Sequence, residues 1–224
     1  METDVARNIR AIKETLPQNV RLVAVSKFHP AERIMSAYQE GHRVFGESRE
    51  QELAQKASTL PKDIQWHFIG HLQTNKVKYI APYISMIETV DSIKLLREIN
   101  RQAAVCCRTI KVLLELHIAE ETTKYGLTLD ECRALLADGE WHGMNNVSIC
   151  GIMMMASNVD DEEQIRKEFE TASCFFDEIK RNFFPDDTLF CERSWGMSDD
   201  YKIALQCRST IVRIGTAIFG RREY

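Results

Sequence analysis

The chain has 224 residues, 44% hydrophobic and 28% charged, with a formal net charge of −4. This is the composition of a globular protein, and its acidic balance argues against a nucleic-acid partner, which calls for a basic face. No apolar run is long enough to cross a bilayer, and Met1-Glu2-Thr3-Asp4 has no hydrophobic stretch behind it, so a cytoplasmic protein with no membrane partner is expected.

Thr3 or Asp4 can cap a first helix to Thr15, with Ile9, Ile12 and Leu16 on one stripe and Leu16-Pro17-Gln18-Asn19 as its end. Val20-Arg21-Leu22-Val23-Ala24-Val25-Ser26-Lys27 follows, an apolar, valine-rich run that reads as a strand buried on both faces. Pro30 opens a helix over Ala31 to Glu40, which Gly41 stops. The alternation then repeats. Strands are expected over His42–Ser48, Gln65–Gly70 and Ser85–Asp91, with helices over Glu50–Thr59 and Asn75–Ile80 and one capped by Ser92. In the second half, strands over Ile110–Ile118 and Val147–Met155 alternate with helices over Leu129–Leu136 and Glu162–Arg181. A strand ending near Gly196-Met197-Ser198, a short helix over Tyr201–Leu205 and a last strand over Thr210–Gly215 complete the pattern.

Eight strands, each but the last followed by a helix, read as a closed (β/α)8 TIM barrel, an α/β fold in one domain over residues 1–224. An open doubly wound sheet is the alternative. No linker or composition shift marks a boundary. The seven cysteines are odd in number and have no CxxC spacing, which fits reduced thiols. His67 and His71 lie on a strand-like run, where residues four apart are about 13 Å apart, so no metal site is expected.

In such a barrel the carboxyl ends of the strands share one mouth, where the chemistry collects. The first strand brings Lys27 there. A lysine that loses hydration has a lowered pKa, and its neutral amine can attack a carbonyl; alternatively, Lys27 caps the strand and snorkels to water. Strand two ends in Glu47, Ser48 and Arg49, and strand three brings His67, Gly70 and His71. The last two strand ends place Met197 and Ser198 beside Arg213, Gly215 and Thr216. Barrels often seat a phosphate between these two loops: Gly215 lets the backbone approach, Ser198 and Thr216 offer hydroxyls, and Arg213 adds charge. Two ordinary turns would look the same. A lysine facing a phosphate cradle suggests a phosphorylated aldehyde such as pyridoxal 5′-phosphate (PLP), and a Schiff-base aldolase acting on a sugar phosphate is the rival.

Several segments carry a resemblance. They are Leu22-Val23-Ala24-Val25-Ser26-Lys27, Phe45-Gly46-Glu47, Gln51-Glu52, Trp66-His67-Phe68-Ile69-Gly70 with Leu72-Gln73-Thr74-Asn75-Lys76, Gly196-Met197-Ser198, and Val212-Arg213-Ile214-Gly215-Thr216-Ala217-Ile218-Phe219-Gly220. With these the chain resembles the YggS-like pyridoxal phosphate homeostasis proteins along nearly its whole length. The resemblance implies the barrel of the alanine racemase N-terminal domain (PLP fold type III). It implies PLP held covalently on Lys27 as a Schiff base, with Ser198, Arg213, Gly215 and Thr216 on the phosphate side and Met197 and Ser48 nearby. His67 would sit near the cofactor or be packed in the core. The family usually has Asn where this chain has Ser48, a shorter side chain without an amide donor.

Alanine racemases carry a C-terminal β domain that supplies a catalytic tyrosine across a dimer. The chain's Arg221-Arg222-Glu223-Tyr224 end, soon after the last motif, leads to the expectation that this β domain is missing and that the protein is a monomer. The expected function is therefore PLP homeostasis: buffering, storing or delivering the cofactor, with PLP-dependent apo-enzymes as partners and no robust turnover. Weak racemase-like chemistry is the enzymatic alternative.

Overall fold

A computed structural model describes residues 3–118 and 125–220. Arg221 to Tyr224, on which the missing-domain expectation rested, lie outside the described residues. Thr3 caps α1 (Asp4–Thr15) by accepting a hydrogen bond from the Ala6 N–H at 3.2 Å. The chain then runs through β1 (Arg21–Val25), α2 (Ala31–Gln39), β2 (Val44–Glu47), α3 (Glu50–Thr59) and β3 (Gln65–Phe68). A 3₁₀ turn (Thr74–Lys76) leads into α4 (Val77–Ile80), followed by β4 (Met86–Val90), α5 (Ile93–Val105), β5 (Ile110–Leu116) and α6 (Leu129–Asp138). β6 (Val147–Met154), α7 (Glu162–Phe183), β7 (Glu192–Ser194), α8 (Tyr201–Gln206), β8 (Ile211–Ile214) and α9 (Thr216–Phe219) complete the order.

All pairing is parallel, and the sheet closes because β1 bonds to both β2 and β8. The open-sheet alternative is thereby excluded. The apolar runs are continuous because both strand faces are covered. Leu22, Ala24, Phe45, Trp66, Phe68, Ile87, Val112 and Ile152 pack outward against the helices. Val23, Met86, Leu113, Cys150, Met153 and Ile211 form a separate cluster inside the barrel.

Two details depart from the sequence reading. Pro30 is the cap of α2, with ψ 163°, rather than its first helical residue. The last strand also has its helix: α9 starts directly after Gly215, too short for apolar periodicity to reveal it. α9 is held from both sides, since Asn8 on α1 donates to the Ile218 carbonyl at 3.1 Å and Arg33 on α2 donates to the Phe219 carbonyl at 2.5 Å. The two helices flanking β1 thus fix the turn that follows β8.

The β5–β6 ladder slips by one residue between Val112 and Leu113, and Gly151 lies at the slip with φ 156°. A Cβ at Gly151 would stand 1.9 Å from the Glu192 carbonyl oxygen, a contact that only strand separation relieves. Gly151→Ala is therefore expected to cost about 1–3 kcal/mol or more in urea unfolding, and a neutral result would contradict this packing.

Candidate functional site

The carboxyl ends of β1, β7 and β8 enclose a cavity at the barrel mouth. Lys27, Met197, Ser198, Arg213, Gly215 and Thr216 all line it, together with Val25, His29, Ile69, Met155, Asp199 and Gly220. Ser48 and His67 do not belong to this lining. Ser48 is half-buried, and its backbone packs against Gly70, where an added Cβ would lie 2.3 Å from the Ser48 carbonyl oxygen. His67 is 3% exposed, with Nδ1 2.6 Å from Glu88 Oε1, which makes it a packed interior residue.

In the cavity wall, the Gly215 N–H donates to Ser198 Oγ at 3.4 Å, tying the two loops together where α9 begins. A Cβ at Gly215 would come within 3.2 Å of the Val25 carbonyl oxygen, so β1 and this turn pack closely enough to crowd any larger residue. Asp200 accepts the Met197 N–H at 2.5 Å and orders the other loop. Arg213 shares the cavity, but its guanidinium reaches across the barrel. Nη1 donates to the Ser194 carbonyl at 2.8 Å and to Ser194 Oγ at 2.5 Å, and Nη2 donates to the Met154 carbonyl at 2.9 Å. Its guanidinium is thus bonded to the ends of β6 and β7.

In the same lining, half-buried Lys27 follows a tightly held residue. The Ser26 N–H donates to the Gly46 carbonyl at 3.0 Å, and its hydroxyl donates to Glu47 Oε1 at 2.5 Å. Phe28, directly after the lysine, has φ 67°, a left-handed conformation that costs a phenylalanine about 1–3 kcal/mol unless its surroundings impose it. Arg49 covers its ring, with the guanidinium carbon 4.8 Å from the centroid, and His29 stacks on Phe219 at 5.1 Å.

Beside the cavity the barrel interior is ionic. Glu88 is fully buried and is bonded by His67 and by the Ser194 hydroxyl at 2.6 Å, with Arg213 Nη1 3.7 Å away. Burial alone would raise its carboxyl, but the His67 bond, the Arg213 charge and the Ser194 bond together hold it below the usual range. Burial pulls the Arg213 guanidinium below the ordinary arginine value, against the pull of Glu88, Asp200 and Glu115. Glu115 differs: it is 3% exposed, and among the described residues its Oε2 has no hydrogen-bond partner. Burial, then repulsion from Asp91, push its carboxyl from 4.5 up to about 7, with Arg213 opposing.

Sequence reasoning did not single out Glu88, Glu115, Ser194 or Lys56. For the two glutamates a signal existed: Met86-Ile87-Glu88-Thr89-Val90 and Leu113-Leu114-Glu115-Leu116 each place one carboxylate in a strand otherwise fit for burial on both faces.

Residues 3–223 match the family described as alanine racemase, N-terminal domain. The pyridoxal phosphate homeostasis protein of Vibrio alginolyticus is 36% identical over 216 residues, covering 93% of this chain and 89% of that protein. The human protein of the same name is 36% identical over 246 aligned positions, covering 100% of this chain and 88% of its own length. Among solved structures, PipY of Synechococcus elongatus PCC7942 with PLP bound superposes with a TM-score of 0.88 at 32% identity, covering 96% of this chain and 100% of that one.

Glu115 gives the interior a measurable pH signature. Its folded value lies above its unfolded value, so its neutral form favours the fold, and that contribution is lost as pH rises from 4.5 through about 7. Between about pH 5 and pH 7.5 the protein is expected to lose on the order of 3 kcal/mol more stability than Glu115→Gln, measured by urea unfolding. Parallel pH profiles for the two proteins would contradict the assignment.

Proposed function

This chain belongs to the pyridoxal phosphate homeostasis protein family, and on that premise we propose that it holds PLP at the barrel mouth, linked covalently to Lys27. One observation carries the reading: Lys27 and the Ser198–Gly215–Thr216 turn line the same cavity. The bound cofactor supplies an aldehyde carbon, the electrophile that a lysine amine attacks, and a phosphate dianion. Ser198, Gly215 and Thr216 are the groups suited to the phosphate, since they combine hydroxyl donors with backbone that can be approached closely. Arg213, bonded to the Ser194 and Met154 carbonyls, keeps a fixed positive charge in the lining and fits an anionic ligand without depending on a direct phosphate contact. Val25, Ile69, Met155 and Met197 provide the apolar wall that a ring requires.

The role is that of a carrier rather than an enzyme with robust turnover. Its relatives bear the name of homeostasis proteins, and the most buried polar group of the cavity, Arg213, is committed to holding two strand ends. Delivery to PLP-dependent apo-enzymes in the cytoplasm, by a monomer, completes the reading. Among the described residues no helix is long and apolar enough to cross a membrane.

Protein purified with PLP is expected to be yellow, and borohydride is expected to fix the cofactor irreversibly; Lys27→Ala is expected to do neither. Ser198→Ala is expected to weaken PLP retention about fivefold, the worth of one hydrogen bond of about 1 kcal/mol. A colourless protein that reacts only with sugar phosphates would favour the aldolase. Rapid racemisation of an amino acid would favour the enzyme, and borohydride-fixed cofactor in Lys27→Ala would overturn the choice of lysine.

A further inference from the structure

The buried amine of Lys56 is accounted for by nothing above. Lys56 is on α3, 7% exposed, and its Nζ donates to three acceptors: the Ser26 carbonyl at 2.8 Å, Glu47 Oε1 at 2.8 Å and Glu52 Oε1 at 2.7 Å. An ammonium has three donors, so the set is saturated. Glu52 Oε1 also accepts the Phe28 N–H at 2.7 Å. The ion pair therefore grips the peptide carbonyl just before Lys27 and the peptide N–H just after it.

We infer that Lys56 and Glu52 are positioning residues for Lys27: one partly buried ion pair on α3 clamps both peptides flanking the lysine and fixes where its side chain enters the cavity. This rests on the reading of Lys27 as the cofactor lysine. Two observations separate the clamp from a bond that merely anchors α3. First, the clamped segment includes Phe28 at φ 67°, a conformation that a phenylalanine holds only when its neighbours impose it. Secondly, the arrangement is not optimised for stability: Glu47 is fully buried, and its Oε2 has no hydrogen-bond partner among the described residues. Burial raises the Glu47 carboxyl, and the Lys56 charge and the bonds from Lys56 and Ser26 oppose that rise. The network spends a buried carboxylate on holding Ser26 and Lys56 in place.

The test compares the wild type with Lys56→Met, Lys56→Arg and Glu52→Gln by three readouts. These are the rate of borohydride-fixable PLP attachment, the affinity for pyridoxamine 5′-phosphate, and amide exchange at Phe28 in the cofactor-free protein. Pyridoxamine 5′-phosphate has the ring and phosphate but no aldehyde, so it reports the cavity without Lys27 chemistry. Lys56→Met is expected to slow attachment about 10- to 100-fold, the usual effect of misplacing a reacting group by an ångström, with pyridoxamine phosphate affinity unchanged. Lys56→Arg is expected to recover part of the rate. Glu52→Gln keeps the Lys56–Glu47 pair and decides the matter should Lys56→Met not fold: attachment slows while exchange at Phe28 quickens. Attachment at the wild-type rate in the folded variants would overturn the inference. So would an equal loss of attachment rate and pyridoxamine phosphate affinity, which marks a merely structural bond. A wild-type protein that binds pyridoxamine phosphate but never links PLP covalently would instead overturn the reading of Lys27, and the clamp with it, in the control arm alone.

Discussion

Hydrogen bonding between the first and last strands turns distant parts of this chain into one site. Arg21 to Ala24 pair in register with Ile211 to Ile214, so the residues that leave β1 and β8 emerge side by side at the same end. Lys27 and Gly215 are far apart in sequence, yet both line one cavity, and the Gly215 turn packs directly on Val25. Parallel strands make this outcome general, because all carboxyl ends share a mouth. Closure makes it specific, because it chooses which ends become neighbours. α9 secures the choice: α1 and α2, which flank β1, hold its carbonyls, so the Gly215 turn is fixed to the same elements that carry the lysine.

The interior of the barrel divides by chemistry. Val23, Met86, Leu113, Cys150, Met153 and Ile211 form an apolar plug, while Glu88, Glu115, Ser194 and Arg213 carry polar and charged groups beside the cavity. Buried ions contribute little net stability, and hydrophobic residues of the same volume would serve folding at least as well. Their value lies in holding geometry. Arg213 bonds β6 and β7 carbonyls, Glu88 links β3, β7 and β8 through His67, Ser194 and Arg213, and Lys56 with Glu47 links α3, β1 and β2. Each cluster ties several strands together through side chains, beyond the ladder hydrogen bonds.

Much of the fold was legible in the sequence, for physical reasons that also explain what was not. Most strands are buried on both faces, so apolar runs such as Val20–Val25 announced themselves, and Thr3 and Ser92 each cap the helix that follows them as the sequence indicates. Strand ends read a residue or two wide, because sequence pattern does not mark where regular pairing ends: the run to Lys27 is regular strand only to Val25, with one more bond from the Ser26 N–H to the Gly46 carbonyl. α9 was invisible because four residues carry no period. In the site, backbone-determined features were readable, since Gly215 and the hydroxyls of Ser198 and Thr216 announce a turn. Lys56 was not, because a lysine on an amphipathic helix reads as a solvated charge, and only the fold reveals that it turns inward to the Ser26 carbonyl. His67 was readable as either of two things, and only its contact with Glu88 placed it in the interior.

The function proposed for this barrel depends on which amine bonds the cofactor. Two lysines stand close to the same loop: Lys27 lines the cavity, while Lys56 has all three donors engaged beneath it. The direct measurement is to load the full-length protein with PLP, reduce it with borohydride, digest it and locate the added mass by peptide sequencing in the mass spectrometer. The label is expected on Lys27 alone. A label on Lys56, or on any lysine other than Lys27, would contradict the account.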